Sequence, residues 1–205
     1  MFANYIIYKE DPLPPIGGFL LEEVLAGNGL FLRAKRPGLS VQFPLCSTNV
    51  RGLKTLAPKI ALEKRVGAAY LNAILHRSFK AMPDEILFYV LPADPYRVII
   101  PPQEKTPISV TPLNKNDSNC AAALLEIHSH NSMEPFFSPT DDEDEANGFR
   151  LFAVLGQLNR TPTILTRVGV YGYFYEFPAK EVFDLPYGLA DAFDHKAAWE
   201  QEAYD

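Results

Sequence analysis

Cysteine is scarce in this chain, and the kinds of site that cysteine builds are therefore excluded. The 205 residues include only Cys46 and Cys120, which lie far apart and form no CxxC pair. Two such cysteines make neither a disulfide framework nor a thiolate zinc site. Because unpaired thiols are the ordinary state of cysteine in a reducing compartment, we expect a cytoplasmic protein.

Long apolar runs and clusters of basic residues are also missing. No stretch reaches the roughly 18 uninterrupted apolar residues of a membrane-spanning helix. The first ten residues lack a basic region, a sustained apolar core and a small-residue cleavage site, so we expect no secretory signal. The net charge is −6, and lysine and arginine form no block, which argues against nucleic acid as a partner.

Proline and glycine, in contrast, are plentiful and unevenly placed. Many of the 18 prolines and 12 glycines separate short apolar runs within the first 58 residues. This pattern is typical of short strands joined by tight turns. We therefore expect a β-rich N-terminal segment over residues 1–58, a main domain over residues 59–178 and an acidic tail over residues 179–205. His195, in that tail, is expected to be a surface histidine.

The main domain alternates between helical and strand patterns. Apolar residues recur at helical spacing over residues 60–82, where His76 is expected at the surface, and a buried strand follows over residues 85–91. Further strands are predicted over residues 97–100, 108–110, 120–127, 150–156 and 163–177. The order predicts an α/β (α+β) protein with a mixed β-sheet flanked by helices.

A histidine pair ends one of these predicted strands. His128 and His130 lie two residues apart, so a strand would point both side chains to one face, with their Cα atoms about 7 Å apart. Two imidazoles can close that distance onto one Zn²⁺, and Asp141 offers an oxygen as a third ligand. For the two histidines alone, a structural pair beside an acidic loop is an equal alternative.

A helix is expected to begin close to Asp141. Thr140 and Glu143 have the spacing of a capping box, which predicts a helix start. The acidic residues 142–145 are then explained by the preference of a helix N-terminus for negative charge. The preceding loop is expected to expose Phe136 and Phe137 beside the metal.

The whole pattern resembles the JAMM motif of the MPN, or JAB, metalloproteases. That motif is a distant glutamate followed by HxHx7SxxD, and His128, His130, Ser138 and Asp141 occupy its fixed positions. The resemblance implies a cytidine-deaminase-like MPN/JAB sandwich in which His128, His130 and Asp141 hold Zn²⁺. Three protein ligands leave one position for water, as in catalytic zinc sites.

The resemblance also implies a general base. Glu85 follows a helix in a proline-x-glutamate context, as the family's glutamate does, and would pass a proton from water to the leaving amine. Phe88 stands where many relatives have a glycine, so Asp84 stays an alternative. Glu126 is a second alternative, because it shares the strand face of the histidines, where it would serve as a base or as a partner of a ligand histidine.

Ser138 is the remaining residue to which the motif gives a role. In the family the corresponding serine helps to stabilise the developing oxyanion, which implies the same role here. The residue pattern alone leaves a second interpretation, in which the hydroxyl satisfies the backbone of its own loop.

Four segments together resemble the JAB-type A proteins of the bacterial PRTRC gene systems: residues 27–31, 50–53, 126–130 and 136–142. These systems also encode a ubiquitin-like protein and a ThiF-like activating enzyme, which the resemblance implies as substrate and partner. The implied function is hydrolysis of a peptide or isopeptide bond after the tail of a ubiquitin-like protein. The alternative is a non-catalytic MPN-like scaffold with a structural zinc. A zinc deaminase is rejected because its PCxxC motif is absent.

Overall fold

The computed structural model describes residues 3–194 and divides the chain into two compact units. The first unit ends at Lys64 and the second begins at Arg65. No helix within residues 3–194 has the length and apolar character needed to cross a lipid bilayer. His195 and the rest of the predicted tail beyond residue 194 lie outside the described residues.

The first unit is built on a five-stranded sheet. Its strands are β1 (Ala3–Ile7), β2 (Leu21–Ala26), β3 (Gly29–Arg36), β4 (Leu39–Ser47) and β5 (Lys59–Leu62). β1 runs parallel to β2, whereas the later strands pair with their sequence neighbours in antiparallel fashion. Val24, Ala26 and Phe31 form a core with Tyr8. The short strands indicated by the turn-rich composition are thus present.

The second unit combines helices with a larger sheet. Its helices are α1 (Ala68–Ala81), α2 (Ser118–Ala122) and α3 (Pro139–Glu145). Its strands are β6 (Leu87–Leu91), β7 (Arg97–Ile99), β8 (Gln103–Thr106), β9 (Ser109–Pro112), β10 (Leu125–Ser129), β11 (Phe149–Gly156), β12 (Thr163–Val170), β13 (Tyr173–Glu176) and β14 (Ala190–Asp191). The chain therefore has mixed α and β structure, consistent with the α+β class.

The sheet of the second unit places β10 between two buried neighbours. The strand order is β13-β12-β11-β10-β6-β7, and β14 pairs with β12. β10 is antiparallel to β6 and parallel to β11, so the sheet is mixed. Every residue of β6 is buried, and so is every residue of β11 except Arg150. Strands covered on both faces read as nearly continuous apolar runs, which explains the composition of these segments.

Two sequence-based predictions are wrong in detail. Residues 59–62 form β5 rather than the start of a helix, because they pair with the edge of β4, and α1 begins only after Gly67. Residues 118–122 form α2 rather than the start of the strand that carries the histidines. Asp117 caps α2 by accepting a hydrogen bond from the Asn119 amide, so a side chain of the preceding polar loop favours the helix.

Candidate metal centre

β10 brings the histidine pair to one end of the sheet. His128 lies opposite Leu87 of β6 and Val154 of β11, and the His130 amide donates a hydrogen bond to the Leu155 carbonyl at 2.7 Å. Side chains two residues apart on a strand share a face. The backbone of three neighbouring strands therefore fixes the direction of both imidazoles.

The ring nitrogens of the pair converge with a carboxylate oxygen. The two Nε2 atoms of His128 and His130 are 3.1 Å apart, and Oδ1 of Asp141 is 3.7 Å from Nε2 of His128. The three ligand atoms all lie within 4.8 Å of one another. Burial lowers the pKa of both imidazoles, although the charge of Asp141 opposes that shift. Both rings are therefore neutral near pH 7, and each can offer a nitrogen lone pair.

Ser138 and Asp141 form the capping box of α3. The Ser138 hydroxyl accepts from the Asp141 amide, and the Ser138 amide and hydroxyl both donate to Oδ2 of Asp141 at 2.7 Å. The predicted box of Thr140 and Glu143 is thus wrong, because Pro139 already occupies the first helical turn. With Oδ2 held by Ser138, Oδ1 is left for His128 and a metal. The hydroxyl proton of Ser138 is used on Asp141 here, whereas the implied oxyanion role requires it to face a substrate.

Glu85 reaches the same place from a distant part of the chain. Its side chain is buried and lines the cavity that the histidines and Asp141 also line. Its amide donates to the Thr106 carbonyl at 2.8 Å, which holds the residue just before β6. Burial and the charge of Asp141 raise the pKa of Glu85 to about 8. Its neighbour Asp84, the alternative base, is not among the residues that line this cavity.

Ser129, between the two histidines, was not expected to matter for the site. Its hydroxyl accepts a hydrogen bond from the Ile86 amide at 3.1 Å, and its own amide donates to the Ile86 carbonyl at 3.2 Å. The segment that carries Glu85 is thereby tied to the residue between the two candidate ligand histidines. A hydroxyl at a fully buried strand position needs a partner. A serine within a predicted buried strand therefore indicates a hydrogen-bond partner elsewhere in the chain, and this indication is present in the sequence.

The cavity at the metal centre has a volume of about 160 Å³. It is lined by residues of β6, β9, β10 and α3 and of the adjoining loops: Glu85, Leu87, Ile108, Ser109, Val110, Thr111, Pro112, Glu126, His128, His130, Met133, Phe136, Ser138, Thr140, Asp141, Asp144 and Glu145. Phe136 is half exposed, and its ring centroid lies 4.6 Å from that of His130. Phe137, predicted to be exposed there too, is instead partly buried beneath Arg167, 3.9 Å from its guanidinium carbon.

Three of the cavity's carboxylates have cationic partners. Arg150 Nη1 lies 3.2 Å from Glu126, Lys115 Nζ lies 2.6 Å from Asp144, and Arg167 Nε donates to Glu145 at 2.8 Å. Burial raises the pKa of Glu126 to about 7, although Arg150 opposes that shift. Among residues 3–194, no lysine or arginine forms such a pair with Glu85 or Asp141.

The donor set fits a divalent metal ion. Two nitrogens bound to one zinc at roughly 2.0–2.1 Å and tetrahedral angles stand about 3.3–3.4 Å apart, close to the separation of the two Nε2 atoms. The Asp141 carboxylate has no lysine or arginine partner among the described residues, so a bound cation would offset its charge, and the buried Oε1 of Glu85 makes no hydrogen bond there. The chain matches no protein-family model, and no curated protein is detectably similar to it.

Proposed function

We propose that this chain is a JAMM-type zinc metallopeptidase that hydrolyses a peptide or isopeptide bond after the C-terminal tail of a ubiquitin-like protein. The observation that carries the proposal is the meeting of His128, His130, Asp141 and Glu85 at one cavity. Their spacing in the sequence is that of the JAMM motif. The mixed sheet with flanking helices supports the corresponding MPN/JAB sandwich fold.

In this proposal, metal binding and proton transfer are carried out by different residues of the cavity. Zn²⁺ held by His128, His130 and Asp141 would polarise the scissile carbonyl and make a water molecule more acidic. Glu85 would accept a proton from the attacking water and return it to the leaving amine. A carboxyl group whose pKa lies near the working pH can do both, and burial gives Glu85 such a pKa.

The surroundings of the cavity suit an extended peptide. β8 and β9 form a separate two-stranded sheet, and its β9 residues line the cavity. An extended tail can add to such a strand edge through main-chain hydrogen bonds. The half-exposed Phe136 and the largely exposed Ile108, which is 79% accessible, offer apolar contacts to the tail's side chains. These features support a flexible C-terminal tail as the substrate rather than a folded surface.

The proposal is tested by metal content and cleavage measured on the same samples. The probes are a linear fusion of ubiquitin to a fluorescent protein, and the same fusion made with a ubiquitin-like protein from a PRTRC gene system. We expect the wild type to contain about one zinc per chain and to cleave a fusion. The His128→Ala variant should lose the zinc and at least about a hundredfold of the rate, since metal catalysis contributes several kcal/mol.

The matched control is His76→Ala, because His76 is exposed on α1 and does not line the cavity. It should retain zinc and cleavage. Cleavage by the His128→Ala variant at the wild-type rate would contradict the proposal. Full zinc content without cleavage of either fusion, also in the presence of a ThiF-like activating enzyme, would favour the non-catalytic scaffold instead.

A further inference from the structure

Arg167 is a buried cation in the middle of an apolar strand. It lies on β12, where all eight residues are buried, and only 4% of its surface is accessible. Its guanidinium carbon is 3.9 Å from the ring centroid of Phe137 and 4.0 Å from that of Phe174, so aromatic rings cover the group. Such contacts stabilise a desolvated arginine and restrict the directions in which its N–H groups can point.

The edge of this guanidinium, which the aromatic rings leave uncovered, contacts two carboxylates of α3. Nε donates to Oε2 of Glu145 at 2.8 Å, and Nη2 contacts the same oxygen. Nη1 donates to Oδ1 of Asp142. Asp142 and Glu145 lie three residues apart and therefore share one face of the helix. A planar guanidinium can engage both groups at once, which a lysine ammonium with its single charged centre cannot do in the same geometry.

These contacts lie on both sides of the metal ligand Asp141. Phe137 comes four residues before it, Asp142 directly after it and Glu145 four residues after it. α3 has seven residues, and a helix this short is marginal unless tertiary contacts hold it. Ser138 fixes the Asp141 carboxylate within the helix, but it does not attach the helix to the sheet.

β12 supplies that attachment. It pairs along its length with β11, which in turn pairs with β10, the strand that ends at the ligand histidines. The path from His128 to Asp141 therefore runs through three hydrogen-bonded strands and the guanidinium of Arg167. Each part of that path is buried or regularly hydrogen-bonded, so a shift of α3 relative to β10 requires these contacts to break.

We propose that Arg167 is a positioning residue that sets the distance of Asp141 from the histidine pair, and thereby the affinity and geometry of the metal site. The inference rests on the metal site of the proposed function, and does not depend on the substrate. Partners that orient metal ligands typically change metal affinity by about 10–100-fold when they are removed. An effect of that size on binding is expected here.

The test measures Co²⁺ binding by Arg167→Gln and Arg167→Lys, using the visible absorption of the bound ion as a report of its geometry. Folding is checked by circular dichroism and thermal unfolding in the presence of a chelator. Arg167→Gln should bind Co²⁺ about 10–100-fold more weakly with an altered spectrum. Arg167→Lys keeps the charge without the planar fork, so it should also bind more weakly than the wild type.

The matched control is Thr166→Val, on the same strand with its side chain on the opposite face. The Thr166 hydroxyl donates to the Phe177 carbonyl at 2.5 Å, so this variant loses a buried hydrogen bond and stability. Its Co²⁺ affinity and spectrum should equal those of the wild type. The positioning role would be overturned if Arg167→Gln and Thr166→Val both lost Co²⁺ affinity in proportion to their loss of stability.

The double variant Arg167→Gln with Glu145→Gln covers the case in which the single variant does not fold, because it removes the buried carboxylate that would be left unpaired. It should still bind Co²⁺ more weakly than Glu145→Gln alone, and equal affinity would overturn the proposal. Wild-type affinity in Arg167→Lys would also overturn it, as would a wild type that binds no Co²⁺. A wild type that binds Co²⁺ but cleaves no fusion would contradict only the proposed function.

Discussion

The carboxylates around the histidine pair form two groups that differ in how their charge is balanced. Among the described residues, Glu126, Asp144 and Glu145 each pair with an arginine or lysine at the cavity. Asp141 and Glu85 line the same cavity without such a cation. A buried carboxylate is costly in its charged form unless it is paired or coordinates a metal. Burial accordingly raises the pKa of Glu85, and Asp141 stays available to a cation, so these two carboxylates are the candidates for proton transfer and metal binding.

Glu85 and Glu126 can be compared directly, because burial raises the pKa of both and only Glu126 has an arginine partner among the described residues. Arg150 opposes the rise at Glu126 and occupies one of its oxygens. Glu85 has no comparable partner among the described residues, and its Oε1 makes no hydrogen bond there. We therefore expect Glu85 rather than Glu126 to act as the base.

The largest effect within this comparison is expected from Glu85→Gln. The amide has nearly the same shape but cannot accept a proton, so the rate of fusion cleavage should fall by about 10²–10⁴-fold. Zinc content should be unchanged, because Glu85 is not one of the three candidate ligands. The measurement is steady-state cleavage alongside metal analysis. Undiminished activity would indicate that Glu126 or Asp84, and not Glu85, is the general base.

A smaller effect is expected from Ser138→Ala. Asp141 has no lysine or arginine partner among the described residues, and this change removes the hydroxyl that donates to its Oδ2. The variant loses the helix cap, worth about 1 kcal/mol, and leaves Oδ2 of Asp141 held by the backbone amide of residue 138 alone. Zinc affinity, measured by competition with a chelator, should fall by about 10–100-fold. Unchanged zinc affinity with a lower kcat would instead support the oxyanion role.

Glu126→Gln should have a weaker effect than either change. The amide oxygen can still accept a hydrogen bond from Arg150, and Glu126 is neither a candidate ligand nor the expected base, so the cleavage rate should fall by less than the roughly 10²-fold that loss of a base causes. Cleavage rates of Glu126→Gln and Glu85→Gln, compared at equal zinc loading, decide between the two residues. An equal loss of cleavage rate in both variants would show that pairing with Arg150 does not separate the role of Glu126 from that of Glu85.

The smallest effect is expected from Lys115→Ala. The Lys115–Asp144 pair is about half exposed on both sides, and such pairs typically contribute about 0.2–1 kcal/mol. Thermal unfolding at low and high salt should show a small loss that salt reduces further. Zinc content and cleavage should match the wild type, and a large loss of zinc would show that the charge of Asp144 acts on the metal site.

The local pattern around the histidines was the most predictable part of the molecule. The alternation of a strand places His128 and His130 on one face whatever the strand packs against, and a helix start at Asp141 follows from nearby capping residues. The predicted cap was two residues too late, because Ser138 rather than Thr140 caps α3. Local backbone geometry was enough for these predictions, because it depends on neighbours in sequence.

Contacts between distant segments were not predictable in the same way. Ser129 binds the backbone of Ile86, and Arg167 binds α3 across more than twenty residues. A lone serine or arginine in an apolar strand signals that a partner exists, because buried polar groups are paired. It does not identify that partner, which depends on how the strands are ordered in the sheet.

The candidate ligands and their spacing follow from the sequence, because the alternation of a strand puts His128 and His130 on one face and nearby capping residues begin the helix that carries Asp141. The folded chain is needed to see which carboxylates stay unpaired, that Glu85 lines the cavity, and that Ser138 and Arg167 bind the carboxylates of Asp141 and Glu145. Charge pairing and burial depend on groups far apart in the chain. These groups become neighbours only when the sheet has formed.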